Sequence, residues 1–382
     1  MQAPEQETLT RPTPFTREPL RFLNEEGLPE GDRDPREVTG LSDAQLVDLY
    51  RAMVLSRKVD QMGWILVRQG RAGFYISIQG QEGAQVASLL ALEPQDWVMP
   101  YYRTPPALHV RGATLVELFG QILGTNADPS KGRQMPAHFG SRKHRIFVLG
   151  SPVALGHVVA MGAAKALKYR RENAVVISYG GEGSTSEPHF HSAMNFAGVY
   201  RLPLIVFIFN NQYAISVPRA QQTASETLAE KARAYGFEGY YVDGGDPLAV
   251  YWVTRFVAER ARTESTPALI EALTYRLDPH SSADDDLKYR PREEVEAWKQ
   301  RESLARMRRY LEHLGLWDEE KEKALHAEYD RAIEEAVEQA EQAGPPDLEE
   351  MFHEVYHTTP WYLQEEAREA RRFAEEQEGS HA

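Results

Sequence analysis

Three largely apolar runs rich in β-branched residues lie in the middle of the chain, at residues 174–179, 204–209 and 268–272. Strands that are apolar on both faces are buried on both faces, as in a parallel sheet, so these runs predict neighbouring parallel strands. Helices are predicted at residues 156–169, before the first strand, and at 188–197, between the first two. We therefore predict an α/β fold with a doubly wound parallel sheet.

Helical periodicity surrounds this sheet in the sequence. Ser42 is placed to cap a helix, and apolar residues recur at helical spacing from there to about residue 123. After residue 292 two amphipathic helices are predicted, the second of which ends at Gly344-Pro345-Pro346. We expect these two helices to form a helical C-terminal extension of the sheet domain.

The two ends of the chain differ from this central part. Residues 1–40 carry six prolines among charged residues, which predicts an extended, partly ordered arm that could lie on another subunit. Residues 365–382 are highly charged and predict a solvated tail. The expected division is an arm over residues 1–40, one domain over 41–345 that includes the helices from 292, and a C-terminal tail over 346–382.

Composition narrows the class of protein. The chain has 43 Lys and Arg against 57 Asp and Glu, a net charge of −14, which argues against nucleic acids and anionic membranes as partners. Neither a stretch of about 20 apolar residues nor a signal-peptide core is present, so we expect a cytoplasmic protein. The chain has no cysteine, so any metal must bind through oxygen or imidazole ligands.

Polar residues follow two of the predicted strands. Glu182 comes after the first strand, and Asn210 and Asn211 come at the end of the second. Because ligands bind at the carboxyl edge of a parallel sheet, we expect Glu182 and Asn211 to converge there. A carboxylate and an amide oxygen, with one loop carbonyl, suit Mg²⁺, which takes its remaining ligands from water and phosphate. The pattern therefore predicts a magnesium site at this edge.

Glycines flank the acidic residue of this motif. Gly181 and Gly183 would allow the backbone to approach a diphosphate, and the amides of Ser184 and Thr185 could donate to its oxygens. Either motif alone is also typical of an ordinary turn at the end of a strand. Together, at this spacing, they form the thiamine diphosphate fingerprint of Gly-acid-Gly followed by Asn-Asn.

These motifs make the chain resemble the alpha subunits of 2-oxo acid dehydrogenase complexes, over about residues 20–365. The resemblance implies the thiamine-diphosphate-binding fold, with thiamine diphosphate and Mg²⁺ as cofactors. It extends to further stretches, namely F-Y-I-S-I-Q-G-Q-E-G at 74–83, Y-Y-R at 101–103, K-G-R-Q-M-P at 131–136, S-P at 151–152 and P-H-S-S-A-D-D at 279–285.

The resemblance also implies roles for individual residues. The Mg²⁺ ligands would be Glu182, Asn211 and the carbonyl of Tyr213. The remaining contacts to the cofactor or the reacting centre would come from Tyr102, Arg103, Ser151, Val153, Gly181, Gly183, Ser184 and His280. In this set Ser151 and Val153 would contact the aminopyrimidine. His280 is the catalytic candidate, because a histidine can transfer protons near neutral pH.

Some positions depart from the family pattern. Most members have aspartate where this chain has Glu182, the 104–106 segment is Thr-Pro-Pro, and Pro188 stands in place of a usual glycine. In heterotetrameric members the glutamate that faces the aminopyrimidine comes from a beta subunit. The resemblance therefore implies an alpha2-beta2 assembly that is active only with beta and transfers acyl groups to the lipoyl groups of an acyltransferase core.

The stretches at 74–83 and 279–290 look most like branched-chain 2-oxo acid dehydrogenases, so we expect a branched-chain 2-oxo acid as substrate. Pyruvate and acetoin enzymes share this scaffold and remain alternatives. A nicotinamide-dependent dehydrogenase is a further alternative, although Ser186 stands where its third glycine belongs and the paired asparagines would be unexplained. A non-catalytic partner that kept the fold is the last alternative, which intact Glu182, Asn211, Arg103 and His280 disfavour.

Overall fold

The computed structural model describes residues 11–31, 34–352 and 356–380. Within these residues five parallel strands form one sheet in the order β1-β2-β3-β7-β6, and β4 and β5 form a short antiparallel pair. The predicted fold class is confirmed. The strands are β1 (Trp97–Met99), β2 (Val176–Gly181), β3 (Leu204–Asn210), β4 (Tyr213–Ala214), β5 (Val217–Pro218), β6 (Glu238–Asp243) and β7 (Ala268–Leu273).

Helices cover both faces of the sheet. They are α1 (Pro35–Thr39), α2 (Asp43–Arg68), α3 (Glu82–Leu90), α4 (Leu115–Leu123), α5 (Leu155–Arg170), α6 (Pro188–Tyr200), α7 (Arg219–Gln222), α8 (Pro247–Glu264), α9 (Arg292–Lys299), α10 (Ser303–His313), α11 (Glu319–Gln342) and α12 (Trp361–Ser380). Short 3₁₀ helices lie at Pro105–Arg111, Glu182–Ser186, Ala229–Tyr235, Asp286–Lys288 and Leu348–Met351. No helix in the described part of the chain is long and apolar enough to cross a membrane.

Alternate residues of the central strands divide the core into two layers. In β3, Ile205 and Phe207 face the layer that contains α2, α3 and α8, whereas Val206 and Ile208 face α5 and α6. Every residue of β3 is buried, because successive side chains of a strand point to opposite faces and both faces are covered. The sheet is therefore doubly wound, as its apolar strands predict.

The edge strands β1 and β6 were not predicted. β1 has only three residues and lies within the region of helical patterning, and β6 begins and ends with the acids Glu238 and Asp243. The segment after residue 292 also differs from the prediction. Its first predicted helix is divided into α9 and α10, separated by Gln300 to Glu302. Residues 365–380, predicted as a tail, continue α12, whose side chains are half-buried or exposed as far as residue 376.

The N-terminal segment lies against the edge of the sheet beside β6. The amides of Phe15 and Leu20 donate to the carbonyls of Gly239 and Tyr241, at 2.8 and 2.9 Å. The Asp246 carboxylate, at the start of α8, accepts hydrogen bonds from the amides of residues 22 and 23. Residues 11–31 of the expected arm are thus attached to this chain, and residues 1–10 lie outside the described residues.

Candidate active site

The carboxyl ends of β2 and β3 bring Glu182 and Asn211 together. Both side chains are buried, and the backbone amide of Asn211 donates to Glu182 Oε2 at 3.4 Å. The other oxygen of Glu182, Oε1, is buried and has no hydrogen-bond partner among the described residues. Burial raises the pKa of Glu182, because a carboxylate without a compensating charge is poorly solvated there. A cation beside Oε1 would remove that cost.

The chain turns sharply after Asn211. Gln212 has a φ of 74°, in the left-handed region, and Asn211 Oδ1 accepts a hydrogen bond from the amide of Tyr213 at 3.3 Å. This turn sets the carbonyl of Tyr213, the third expected metal ligand, on the same edge of the sheet. The described residues contain no group of three or more His, Asp or Glu side chains suited to a metal. A cation here would therefore depend on one carboxylate and neutral oxygens, as Mg²⁺ with a phosphate ligand does.

The two glycines of the motif have different surroundings. A Cβ on Gly183 would lie 2.7 Å from the Cβ of Ala214, so this position requires glycine for packing. A Cβ on Gly181 would meet no atom within 4 Å, so this part of the backbone faces open space. The Ser184 hydroxyl is already used, because it donates to the carbonyl of Gly181 at 2.6 Å. Ser184 therefore closes the turn.

Arg103 and His280 are held together beside this edge. Arg103 is fully buried; its Nη1 donates to the carbonyl of Ser77 at 2.8 Å, and its Nη2 donates to the carbonyl of His280 at 3.0 Å. Nη2 also lies 3.0 Å from His280 Nδ1. Because a guanidinium only donates, Nδ1 must be the acceptor, and the proton of neutral His280 is on Nε2. The ring of Tyr102 packs against both side chains.

The ionisation of His280 differs from the simple expectation for a histidine. Burial lowers its pKa to about 3, and the charges of Arg103 and Arg276 contribute to this shift. His280 is therefore neutral throughout the physiological range and presents an N–H donor. For the chain without a bound ligand, the expectation that His280 titrates near neutral pH is therefore wrong. An anion bound beside the two guanidiniums would offset their effect on His280.

Sequence reasoning missed Arg276. This arginine follows β7, is buried, and donates to the carbonyls of Tyr213 and Ile215 at 3.3 and 2.8 Å. Its position at the carboxyl end of a buried strand was the available signal. The Nε atoms of Arg103 and Arg276 are buried without partners among the described residues. Two guanidiniums near one carboxylate make this edge of the sheet electropositive, which suits a phosphate-bearing ligand.

Ser151 and Val153 lie in a different environment. Both are exposed, and 51% of Val153 is accessible to solvent. The Ser151 hydroxyl is 3.0 Å from Nε2 of His138. His138 Nδ1 is in turn 3.1 Å from the carbonyl of Pro136, so Nδ1 carries the proton and Nε2 accepts from Ser151. Among the described residues the Ser151 hydroxyl contacts His138 and not the Glu182 group, and the proposed role of Ser151 and Val153 in cofactor binding stays a prediction.

The loop at 279–290 is packed against the segment at 74–79. The amide of Ser282 donates to the carbonyl of Tyr75 at 2.9 Å, and the amide of Tyr75 donates to the Ser282 hydroxyl at 3.0 Å. The amide of Leu277 donates to the carbonyl of Gln79 at 3.2 Å. These bonds fix the segment that carries His280 to the segment whose Ser77 carbonyl holds Arg103.

Comparison with known proteins identifies the class. Residues 50–349 match the family model described as dehydrogenase E1 component. The chain belongs to this family, whose members are thiamine-diphosphate-dependent 2-oxo acid dehydrogenases. It is 42% identical over 322 residues to the 2-oxoisovalerate dehydrogenase subunit alpha of Bacillus subtilis (strain 168), covering 84% of this chain and 98% of that protein.

Two further relatives show the range of this similarity. The mitochondrial 2-oxoisovalerate dehydrogenase subunit alpha of Homo sapiens is 39% identical over 334 residues, which cover 87% of this chain and 75% of that protein. The pyruvate dehydrogenase E1 component subunit alpha of Staphylococcus aureus (strain MW2) is 40% identical over 330 residues, 86% of this chain and 87% of that one. The resemblance noted in the sequence is therefore confirmed at the level of the family and of its alpha subunits.

Proposed function

We propose that this chain is the alpha subunit of a branched-chain 2-oxo acid dehydrogenase. It would act with a beta subunit in an alpha2-beta2 heterotetramer to decarboxylate branched-chain 2-oxo acids oxidatively. The acyl group would pass to a lipoyl group on the acyltransferase core of a multienzyme complex. The similarity to 2-oxoisovalerate dehydrogenase alpha subunits from bacteria, plants and mammals supports the substrate class.

One structural observation carries the cofactor assignment. Glu182 is a buried carboxylate with a partnerless oxygen, next to Asn211 and near two buried guanidiniums. We propose that Glu182, Asn211 and the carbonyl of Tyr213 would hold Mg²⁺, whose positive charge would offset that of the diphosphate of thiamine diphosphate. For the carbonyl to bind the ion, its 3.3 Å contact with Arg276 Nη1 must be shared or lost.

The chain's own residues would bind and orient this cofactor. Arg103 and Tyr102 would contact the diphosphate with the amides of the 181–184 turn, and Ser151 and Val153 would contact the aminopyrimidine. When bound, thiamine diphosphate supplies the nucleophilic carbon and the electron sink that decarboxylation of a 2-oxo acid requires. Neutral His280 would donate a hydrogen bond from Nε2 at the reacting centre. A glutamate of the beta subunit would complete the site.

The test of this function is decarboxylation by the chain reconstituted with its beta partner, Mg²⁺ and thiamine diphosphate, with an artificial electron acceptor. Turnover of 3-methyl-2-oxobutanoate and 4-methyl-2-oxopentanoate should exceed that of pyruvate in kcat/KM. The pyruvate enzyme is the second candidate, favoured by the relative from Staphylococcus aureus. A preference for pyruvate would move the chain to that group, and turnover by alpha alone would contradict the heterotetramer.

A further inference from the structure

Asp60 is a buried acid that the proposed mechanism does not use. It lies in α2, is fully shielded from solvent and makes four hydrogen bonds with the segment at 75–79. Its Oδ1 accepts from the Tyr75 hydroxyl at 3.2 Å and from the amide of Ile78 at 2.8 Å. Its Oδ2 lies 3.2 Å from Gln79 Nε2 and 2.8 Å from the Ser77 hydroxyl. Asp60 therefore anchors the segment on which the His280 loop packs.

A second carboxylate reaches the same hydroxyl from the other side. Oδ2 of Asp278, which is half-buried at the start of the His280 loop, lies 2.7 Å from Ser77 Oγ. The backbone amide of Gln79 also donates to Ser77 Oγ, at 3.1 Å. The Ser77 hydroxyl thus has three close partners, two of which are carboxyl groups.

The contacts of Ser77 Oγ with the two carboxyl groups require more than the one proton of the hydroxyl. A hydroxyl has one proton to donate and two lone pairs, and the Gln79 amide occupies one lone pair. Ionised carboxylates only accept, so the Ser77 proton can satisfy Asp60 or Asp278 but not both. If both acids were ionised, Ser77 Oγ would lie less than 3 Å from one of the two carboxylate oxygens with no hydrogen between them. A proton on one carboxyl group satisfies every contact.

We propose that Asp60 and Asp278 share one proton across Ser77, and that this shared proton holds the His280 loop on the 74–79 segment. The two acids are positioning residues, because they act through Ser77, whose carbonyl also holds Arg103, and through the loop that carries His280. The docking of the loop does not depend on the proposed function. Its consequence for turnover rests on that function.

The surroundings favour the proton on Asp60. Burial raises its pKa to about 7, and the negative charge of Asp278 adds to the shift. The other charged or titratable groups near it are the Tyr75 hydroxyl, Glu82 of α3 with its ion-pair partner Arg57, and Arg103 beyond the Ser77 carbonyl. His280 is neutral throughout this range, so its own titration does not contribute.

The sign of the pH dependence follows from the linkage between protons and docking. When the loop leaves, Asp278 moves away and water reaches Asp60, so the pKa of Asp60 falls. The docked state therefore binds more protons than the undocked state, and docking weakens as pH rises from the undocked to the docked pKa of about 7. The opening equilibrium increases at most about tenfold per pH unit in this interval and levels off above it.

Hydrogen exchange of the 279–290 amides, followed by mass spectrometry in the alpha-beta complex, tests the proposal. Asp60→Asn supplies a permanent N–H to Ser77, and its carbonyl can keep the bonds to Tyr75 and Ile78. The ratio of wild-type to variant exchange at each pH cancels the intrinsic effect of pH on exchange. We expect this ratio to rise from about pH 5 to about pH 7 and then to level off, because only the wild type loses the proton.

Two further variants complete the test. Asp278→Asn changes the half-buried partner, should reduce the same pH dependence because Asp60 then no longer has to share its proton, and decides the matter if Asp60→Asn does not fold. Asp48→Asn, an exposed position of the same helix, should behave as wild type. If the ratio of the wild-type exchange rate to that of the folded Asn variant does not change with pH, the shared proton is refuted. Because no substrate or cofactor is needed, failure of the proposed function would leave this result intact.

Discussion

Replacing Arg103 by methionine tests the electrostatic arrangement of the site. Methionine keeps most of the length of the side chain but removes the guanidinium that donates to the carbonyls of Ser77 and His280 and to His280 Nδ1. The Ser77 carbonyl lies in a buried residue, so losing its donor costs about 1–3 kcal/mol. His280 is half-buried, and each of its two lost bonds costs about 0.5–1.5 kcal/mol.

A compensating effect reduces this sum. The guanidinium is buried with its Nε unpartnered and is repelled by Arg276, so its removal relieves part of the cost of folding. We therefore expect a net loss of about 2–3 kcal/mol in the free energy of unfolding, at the lower end of the summed range. Arg103→Lys, which keeps the charge but cannot form the same fork of donors, should fall between methionine and wild type.

Urea unfolding and cofactor titration measure the two consequences. The midpoint should move to lower urea with an unchanged slope, and the affinity for Mg²⁺-thiamine diphosphate should fall in the order arginine, lysine, methionine. Arg142→Met, at an exposed position, is the matched control and should change neither quantity. If Arg103→Met matched wild type in both stability and affinity, neither the anchoring nor the anion-binding role of Arg103 would stand.

Three other predictions concern two sets of substitutions and one titration. Gly183→Ala should lower stability because its Cβ would lie 2.7 Å from that of Ala214, whereas Gly181→Ala should fold as wild type but bind Mg²⁺-thiamine diphosphate more weakly; equal melting temperatures for the two would contradict the packing argument. Each Asp246 oxygen accepts from two backbone amides, so Asp246→Ala should cost about 2–4 kcal/mol in denaturant unfolding, and Asp246→Asn should also destabilise, because its NH2 group cannot accept from the two amides that face it. The ring protons of His280 should show no NMR inflection above about pH 5, because its pKa is about 3; an inflection near pH 6.5 would show that the site is more hydrated than its burial indicates.

The sequence predicted the centre of the sheet better than its edges. β2, β3 and β7 are apolar on both faces because both faces are covered, and this pattern is visible without a structure. The edge strands β1 and β6 lack that pattern, since one is very short and the other carries acids at both ends. The break between α9 and α10 has no glycine or proline to mark it, and α12 has the charged composition of both a tail and an exposed helix.

The sequence likewise predicted some residues of the site and missed others. Glu182 and Asn211 could be paired in advance because parallel strands end at a common edge, and the structure brings them together. Arg276 and Asp60 could not be found by motif, because their significance depends on what a distant segment places beside them. Asp60 lies within the long helix α2, where the sequence gives no sign that residues 75–79 and 278 surround it. Such contacts are properties of the tertiary structure.

The most direct test of the account is calorimetric titration of the alpha-beta complex with thiamine diphosphate, in Mg²⁺ and in chelator, for wild type and Glu182→Gln. Glutamine keeps an acceptor for the Asn211 amide but loses the charge that would bind the cation. We expect tight binding only for wild type with Mg²⁺, a loss of at least about tenfold in the variant, and wild-type affinity in the exposed control Glu187→Gln. Mg²⁺-dependent binding that Glu182→Gln leaves unchanged would contradict the central claim.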